Sequence, residues 1–121
     1  MAPMFELGRR TRTLPPPPDV VWESLVNPQR RGARPWLNLL PEETEPRILE
    51  SVRPHLVVWS SIWPTTPDQL IRFEIASDGG SGTALTWTLT SPTELDDGGV
   101  GHRRYRLNKL IWADLRYSYG Q

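Results

Sequence analysis

The chain contains no cysteine, which excludes disulfide bonds, thiolate catalysis and cysteine-based metal sites. It also carries no net formal charge, since 14 basic residues balance 14 acidic ones, and this argues against a general nucleic-acid binder. No stretch approaches the ~18 apolar residues of a membrane span. The start, "MAPMFELGRR", lacks the apolar region of a signal peptide. We therefore expect a cytoplasmic protein without stable membrane insertion.

Histidine is scarce. The only two, His55 and His102, fall on different predicted elements, and no set of histidines and carboxylates has the spacing of a metal site. The glycine-rich stretch "DGGSGT" (78–83) joins two predicted strands, opens no helix and lacks a P-loop lysine. We therefore expect neither a metal nor a cofactor.

Arginine and tryptophan are the residues in surplus, with thirteen arginines and six tryptophans. The arginine clusters "RRTR" (9–12), "RRGAR" (30–34) and "HRRYR" (102–106) lie close to acidic runs, which indicates solvated clusters. Each indole adds a large apolar surface and one N–H donor that needs a partner. The tryptophans therefore call for an explanation, either as core or as the wall of a ligand site.

Five runs have the composition of β-strands, at residues 5–14, 47–52, 55–63, 70–76 and 83–90. Alternation is clearest in the last two, whose apolar positions are Ile71, Phe73, Ile75, Leu85, Trp87 and Leu89. The segment "SDGGSG" (77–82) between them predicts a hairpin turn. Together the runs predict an antiparallel sheet that is covered on one face only.

Two tryptophans in "ILESVRPHLVVWSSIWP" (48–64) lie four residues apart, so strict alternation places Trp59 and Trp63 on one face. A break at Ser60-Ser61 would separate them. We predict that one of the two faces inward beside Phe73 and Trp87 and that the other lies at the rim.

Helical patterns occupy the remaining stretches. "VVWESLVN" (20–27) predicts a short helix that Asp19 caps and that ends at Asn27-Pro28. Residues 28–41 suggest a second short helix, broken by Gly32 and Pro35. A long helix is predicted at residues 100–119, with Asp96 or Asp97 near its start.

The long helix has one apolar side, and a helix of this kind needs an apolar surface to cover. Its predicted inward arc consists of Val100, Leu107, Leu110, Ile111, Leu115 and Tyr119, with Trp112 at the edge. The predicted outward positions are Arg106, Lys109, Ala113 and Arg116.

The order of these elements, with particular motifs, resembles the START/Bet v 1-like superfamily, also called SRPBCC. The similar stretches are "VWESLVNP" (21–28), "RILESVRPHLVVWSS" (47–61), "GGSGTALTWTL" (79–89) and "NKLIWADLRYSYGQ" (108–121). The resemblance implies one α+β domain over residues 1–121 with a helix-grip fold. In this fold a curved antiparallel sheet wraps around a long C-terminal helix, and two short helices follow the first strand. A hairpin usual in the family is shortened or absent at residues 37–46.

The resemblance also implies a cavity between the sheet and the C-terminal helix, where family members bind lipids, sterols, polyketides or plant hormones. We therefore expect this chain to bind a small apolar or aromatic molecule there, since flat aromatic walls suit a planar ligand. The expected binding residues are Trp59, Phe73, Leu85, Trp87, Asn108, Ile111, Trp112 and Asp114.

Two other functions stay open. A cyclase-like or aromatase-like enzyme would need acid or base groups in the cavity, and the candidates are Glu50, His102, Tyr105 and Asp114. An interaction module with a filled core would instead expose Trp36 and Trp63 as anchors. The sequence also leaves a homodimer open.

Overall fold

A five-stranded sheet and a long C-terminal helix make up most of the protein. The computed structural model describes residues 4–28 and 36–120, apart from the side chain of Asp97. Within these ranges the strands are β1 (Phe5–Leu14), β2 (Ile48–Val52), β3 (Leu56–Ser60), β4 (Leu70–Ser77) and β5 (Thr83–Ser91). The helices are α1 (Pro18–Val26), α2 (Asp97–Asn108), a π-helical segment (Lys109–Leu115) and α3 (Arg116–Ser118), and the last three together form the C-terminal helix.

The sheet is antiparallel throughout, with the strand order β1-β5-β4-β3-β2. β1 and β2 are therefore its two edges. A bulge between Glu6 and Gly8 interrupts the pairing of β1 with β5. The curved sheet and the long helix give the α+β helix-grip fold that the sequence predicts.

Alternation along the strands gives the sheet one apolar face. Phe73 lies opposite Val57 on one side and Trp87 on the other, and all three side chains are buried. The other face carries polar pairs such as Thr11 and Thr86, whose hydroxyl oxygens are 2.6 Å apart. The prediction that the sheet is covered on one face is confirmed.

Helix α1 packs against β3 and β4 through Val21 and Leu25, which are fully buried. It ends at Val26, as Asn27-Pro28 predicts. The prediction that Asp19 caps it is wrong: Pro17 occupies the cap position, and Pro18 begins the helix because proline suits the first turn. Asp19 lies within the first turn, where it accepts a hydrogen bond from Arg53 at 3.0 Å.

Two other predicted elements differ in extent. Strand β3 ends at Ser60, three residues before Trp63, because the Ser61 hydroxyl accepts a hydrogen bond from the backbone N–H of Trp63 and donates one to its carbonyl. The second short helix was predicted within residues 28–41. Residues 29–35 lie outside the described ranges, and residues 36–40 are not helical.

The C-terminal helix starts at Asp97, and Asp96 caps it by accepting a hydrogen bond from the Gly99 N–H at 2.7 Å. Its inward arc is as predicted. Four of these residues are fully buried, namely Leu107, Leu110, Ile111 and Leu115, while Val100, Trp112 and Tyr119 are half-buried against the same core. None of the described helices is long and apolar enough to cross a membrane.

One predicted outward residue, Arg106, is buried instead. The irregular segment 36–46 lies over it, and its guanidinium donates to both carboxylate oxygens of Glu43, at 2.8 and 2.7 Å. It also donates to the Asn38 carbonyl at 3.1 Å. Neither Glu43 nor Arg106 exposes more than 6% of its side chain, so this pair fixes segment 36–46 against the C-terminal helix.

Candidate functional site

The aromatic rings expected to line a cavity lie in the core and in contact with one another. The Trp59 ring meets Phe73 edge-on at a centroid distance of 4.7 Å and stacks on Trp36 at 6.0 Å. Both indoles donate to the backbone of α1, Trp59 to the Leu25 carbonyl at 2.8 Å and Trp36 to the Ser24 carbonyl at 3.2 Å. Their N–H donors are therefore occupied, and α1 holds both rings in place. That Trp59 and Phe73 line a ligand cavity stays a prediction.

Trp59 lies beside Phe73, as predicted, but the expected rim position of Trp63 is wrong. Trp63 and Trp36 are only 4% and 3% exposed, so neither is a surface anchor. The guanidinium of Arg103 lies over the Trp63 ring at 5.0 Å and covers it. The alternation of residues along a strand cannot predict this contact, because Arg103 belongs to helix α2.

Asn108 joins the sheet to the C-terminal helix. Its Oδ1 accepts two hydrogen bonds, one from the Trp87 indole at 3.2 Å and one from the Trp112 indole at 3.0 Å. An indole N–H can only donate, so the atom that both indoles contact must be the oxygen. The two hydrogens on Nδ2 are then the groups of this side chain that can serve a ligand, and both are donors.

The wide turn of the π-helical segment begins directly after Asn108. It allows Lys109 and Asp114, five residues apart, to meet with an Nζ to Oδ1 distance of 2.7 Å. In a regular α-helix the residues that face each other are three or four apart. Single π turns inside α-helices occur frequently at functional sites, which makes this segment a candidate.

An open groove of about 330 Å³ lies between β1 and the π-helical segment, and we call it the β1–helix groove. It is lined by Arg10, Arg12, Tyr105, Asn108, Lys109, Trp112 and Ala113. Its volume is at the lower end of the ~300–1,000 Å³ typical of ligand sites. Two aromatic rings, one amide and three cationic side chains converge on it.

The strand register explains why two of these arginines face the helix. Arg10 is paired with Trp87 and Arg12 with Leu85, so both lie on the covered face of the sheet. Arg9, which precedes Arg10, is paired with Thr88 on the other face of the sheet and forms an ion pair with Glu6. No described carboxylate lies within 4.0 Å of Arg10 or Arg12.

The structure brings only part of the predicted site together. Asn108 and Trp112 line the groove. Trp87 lies behind the groove, and its indole donates a hydrogen bond to Asn108. Phe73, Leu85, Trp59 and Ile111 lie in the core. Asp114 is tied to Lys109 beside the groove.

Arg9, Arg10 and Arg12 are all exposed, which agrees with the predicted solvated cluster, but the sequence pattern assigns neither Arg10 nor Arg12 to a site. Alternation along β1 would place Arg9 on the side of the buried Leu7, and the bulge between Glu6 and Gly8 brings Arg10 and Arg12 onto the covered face instead.

The candidates for acid or base catalysis do not form a cluster. His102 is exposed on α2, Glu50 is exposed on the edge strand β2, and Tyr105 is 64% exposed at the groove. Asp114 is occupied by Lys109. The described residues hold no group of three histidines or carboxylates that could bind a metal ion.

Comparison with solved structures shows what this fold is similar to. CalU16 from Micromonospora echinospora matches with a TM-score of 0.57 and 22% sequence identity, over 93% of this chain and 81% of that one. The Mll3558 protein from Rhizobium loti matches with a TM-score of 0.62 and 19% sequence identity, over 95% of this chain and 96% of that one. The Aha1 dimer from Colwellia psychrerythraea matches with a TM-score of 0.65 and 10% sequence identity, over 89% of this chain and 91% of that one.

No protein-family model and no curated protein sequence matches the chain. The structural neighbours have helix-grip folds of the SRPBCC type, and at these identities the likeness shows the fold alone.

Proposed function

We propose that the protein binds a small planar aromatic molecule that carries a carboxylate, and that it does so in the β1–helix groove. The proposal keeps the ligand class expected from the sequence, moves the site from an enclosed cavity to an open groove at the edge strand β1, and adds the acidic group. Asn108 carries the proposal, because two indoles occupy its oxygen and its amide hydrogens are left to donate.

The aromatic part of the ligand is inferred from Tyr105 and Trp112. Both line the groove, and Tyr105 leaves most of its ring in solvent. A planar apolar ligand placed between them would remove apolar surface from water, which contributes roughly 25 cal/mol per Å². Aromatic pairs add ~0.5–1.5 kcal/mol beyond the area buried.

The carboxylate is inferred from the charges at the groove. Arg10 and Arg12 have no described acidic partner within 4.0 Å, and an arginine guanidinium matches the fork of a carboxylate. Lys109 is already paired with Asp114 and is the lesser contributor. A carboxylate here would accept from Asn108 and from at least one arginine.

Titration with matched aromatic compounds tests this proposal. Intrinsic tryptophan fluorescence would be followed while 2-naphthoate or its neutral amide is added to the wild-type protein. We expect saturable quenching by the acid and binding of the amide that is weaker by roughly tenfold, the value of one charge-assisted hydrogen bond.

Three variants locate the binding. Arg10→Gln should weaken binding of the acid, and Arg9→Gln is the matched control because Arg9 is on the opposite face of the same strand. Asn108→Asp keeps the oxygen that both indoles need but removes the two donors, so binding should be lost while the circular dichroism spectrum is retained. Equal loss in Arg9→Gln and Arg10→Gln would place the site elsewhere.

The edge strand β2 supports a second candidate function, association with a second copy of the chain. All five of its residues are exposed, and three of them are apolar: Ile48, Leu49 and Val52, at 37%, 47% and 50%. An unpaired apolar edge is a template for another strand. The similarly folded Aha1 from Colwellia psychrerythraea is a dimer, which makes a second copy the occupant to test first.

Light scattering across a concentration series tests the second candidate. We expect the wild-type chain to form a dimer at high concentration and Leu49→Lys to remain monomeric. Phe5→Lys on the opposite edge is the control, since Phe5 is also exposed and apolar. A monomer at every concentration, or equal loss in both variants, contradicts association through β2.

A further inference from the structure

A second pocket lies beyond the C-terminal end of β5, and we call it the Gln69 pocket. It has a volume of about 170 Å³ and is lined by the loop before β4 and the residues that end β5, among them Thr66, Asp68, Gln69 and Ser91. Pro67 and Pro92 supply apolar wall. Its lining shares no residue with the β1–helix groove.

Gln69 is the unusual member of this lining. Only 1% of the residue is exposed, and within the described part of the chain its Nε2 has no hydrogen-bond partner. Its Oε1 accepts a hydrogen bond from Arg103 Nε at 3.0 Å, which fixes the orientation of the amide. A buried donor without an acceptor costs about 1–3 kcal/mol, so the site calls for an acceptor from outside the described residues.

Arg103 adds an uncompensated positive charge next to this amide. Its guanidinium donates to the neutral atoms Gln69 Oε1 and Thr66 Oγ1, both at 3.0 Å, and lies over the Trp63 ring. No described carboxylate is within 4.0 Å of it. Burial lowers the pKa of Arg103, as expected for a cation that has been desolvated without an ionic partner.

We propose that the Gln69 pocket binds the carboxylate of a short-chain carboxylic acid. The carboxylate would be attracted by Arg103 and would accept from Gln69 Nε2 after a small movement of the pocket wall, because this atom is fully buried without a ligand. The short chain would lie against Pro67 and Pro92. Ser91 offers a further hydroxyl donor, although its oxygen already accepts from the Thr93 N–H. Asp68 lines the same pocket and opposes a second negative charge, which favours a monoanion over a phosphate dianion.

The test follows the side-chain amide of Gln69 by proton–nitrogen correlation NMR. Sodium propionate would be titrated into the full-length protein, with propionamide and sodium chloride at the same ionic strength as controls. We expect a saturable shift of the Gln69 Nε2 signals with propionate. Propionamide should bind more weakly by roughly tenfold, and chloride should produce no saturable shift.

Two variants distinguish binding from local structure. Gln69→Glu keeps the oxygen that Arg103 contacts but replaces the donor with a repelling carboxylate, so propionate binding should vanish. Asp68→Asn alters an exposed side chain and removes repulsion, so propionate should bind several times more tightly.

Three results would overturn the proposal: no saturable shift with propionate, equal shifts with propionamide, or unchanged affinity in Asp68→Asn. The first of these would leave a buried water as the partner of Gln69. None of them bears on the β1–helix groove, because 2-naphthoate is tested there with other variants.

Discussion

At the scale of single residues, Gly8 shows how closely the helix approaches the edge strand. A Cβ atom at this position would lie 2.8 Å from Arg104 Nε and 3.2 Å from the Trp87 ring. Arg104 crosses β1 here and donates to the Leu7 carbonyl at 3.0 Å. An added Cβ would require the Arg104 side chain to shift and the Trp87 ring to move by a few tenths of an ångström.

Gly8→Ala should therefore destabilise the fold by ~1–3 kcal/mol, the usual cost of overpacking. Gly101→Ala is the matched control, because it lies inside α2 with no heavy atom within 4 Å of an added Cβ. Alanine there should stabilise by about 0.5–1 kcal/mol through helix propensity. Urea denaturation measures both free energies, and equal effects in the two variants would contradict the close approach at Gly8.

Two residue-scale outcomes show where sequence patterns suffice. Asn27-Pro28 ends α1 and Asp96 caps the C-terminal helix because both signals act within one turn of the chain. The burial of Arg106 has a different origin, since its partner Glu43 is 63 positions away and no local pattern reports such a contact.

At the scale of elements, the Glu43–Arg106 pair holds segment 36–46 over the C-terminal helix. Burial alone would raise the pKa of Glu43, but hydrogen bonds from Arg106 and the Leu40 N–H outweigh it, and the pKa falls below its ordinary value of 4.5. The hydrogen bonds that Arg106 donates to Glu43 raise the pKa of Arg106 in turn. Both shifts indicate a pair that is charged in the folded state.

Removing one partner should be costly. Glu43→Gln leaves a buried guanidinium without its counter-charge, and we expect a loss of about 3–5 kcal/mol in the free energy of unfolding. Glu45→Gln, an exposed change in the same segment, should have little effect. Chemical denaturation at pH 7 measures both.

The pair also predicts an acid dependence. Because the pKa of folded Glu43 is below 4.5, the unfolded chain takes up the proton first as the pH falls. The stabilisation is therefore present above pH 4.5 and is lost on further acidification, and Glu43→Gln should remove this part of the pH dependence. An identical acid profile in wild type and Glu43→Gln would contradict the assignment.

Some strand boundaries follow from the local sequence pattern, whereas others depend on contacts that the pattern does not report. β4 and β5 follow from alternation and the turn between them, where Asp78 Oδ1 accepts from the N–H groups of Gly80 and Gly82 at 2.7 and 3.2 Å. The end of β3 depends on the Ser61 hydroxyl turning back onto Trp63, which alternation cannot report. The π turn after Asn108 was likewise invisible, because periodicity assumes a regular helix.

At the scale of the whole molecule, the packing of the sheet against the long helix was predictable because their two apolar faces have to cover each other. The helix-grip arrangement itself was predicted from the resemblance to the START/Bet v 1-like superfamily. The candidate site was predictable only in part. Asn108 and Trp112 were expected from the helix pattern, whereas Arg10 becomes part of the site only through its register opposite Trp87. The site combines the covered face of an edge strand with an irregular helical turn, and neither is encoded in one continuous motif.

The central claim is that an aromatic carboxylate binds in the β1–helix groove, and proton–nitrogen correlation NMR of the six tryptophan indoles tests it most directly. Each indole has one N–H signal, so a titration with 2-naphthoate reports on every tryptophan at once. We predict saturable shifts of the Trp87 and Trp112 signals, the two that share Asn108, with small changes at Trp22, Trp36, Trp59 and Trp63. Shifts concentrated at Trp36 and Trp59 would place the ligand in the core, and no saturable shift at any indole would contradict binding.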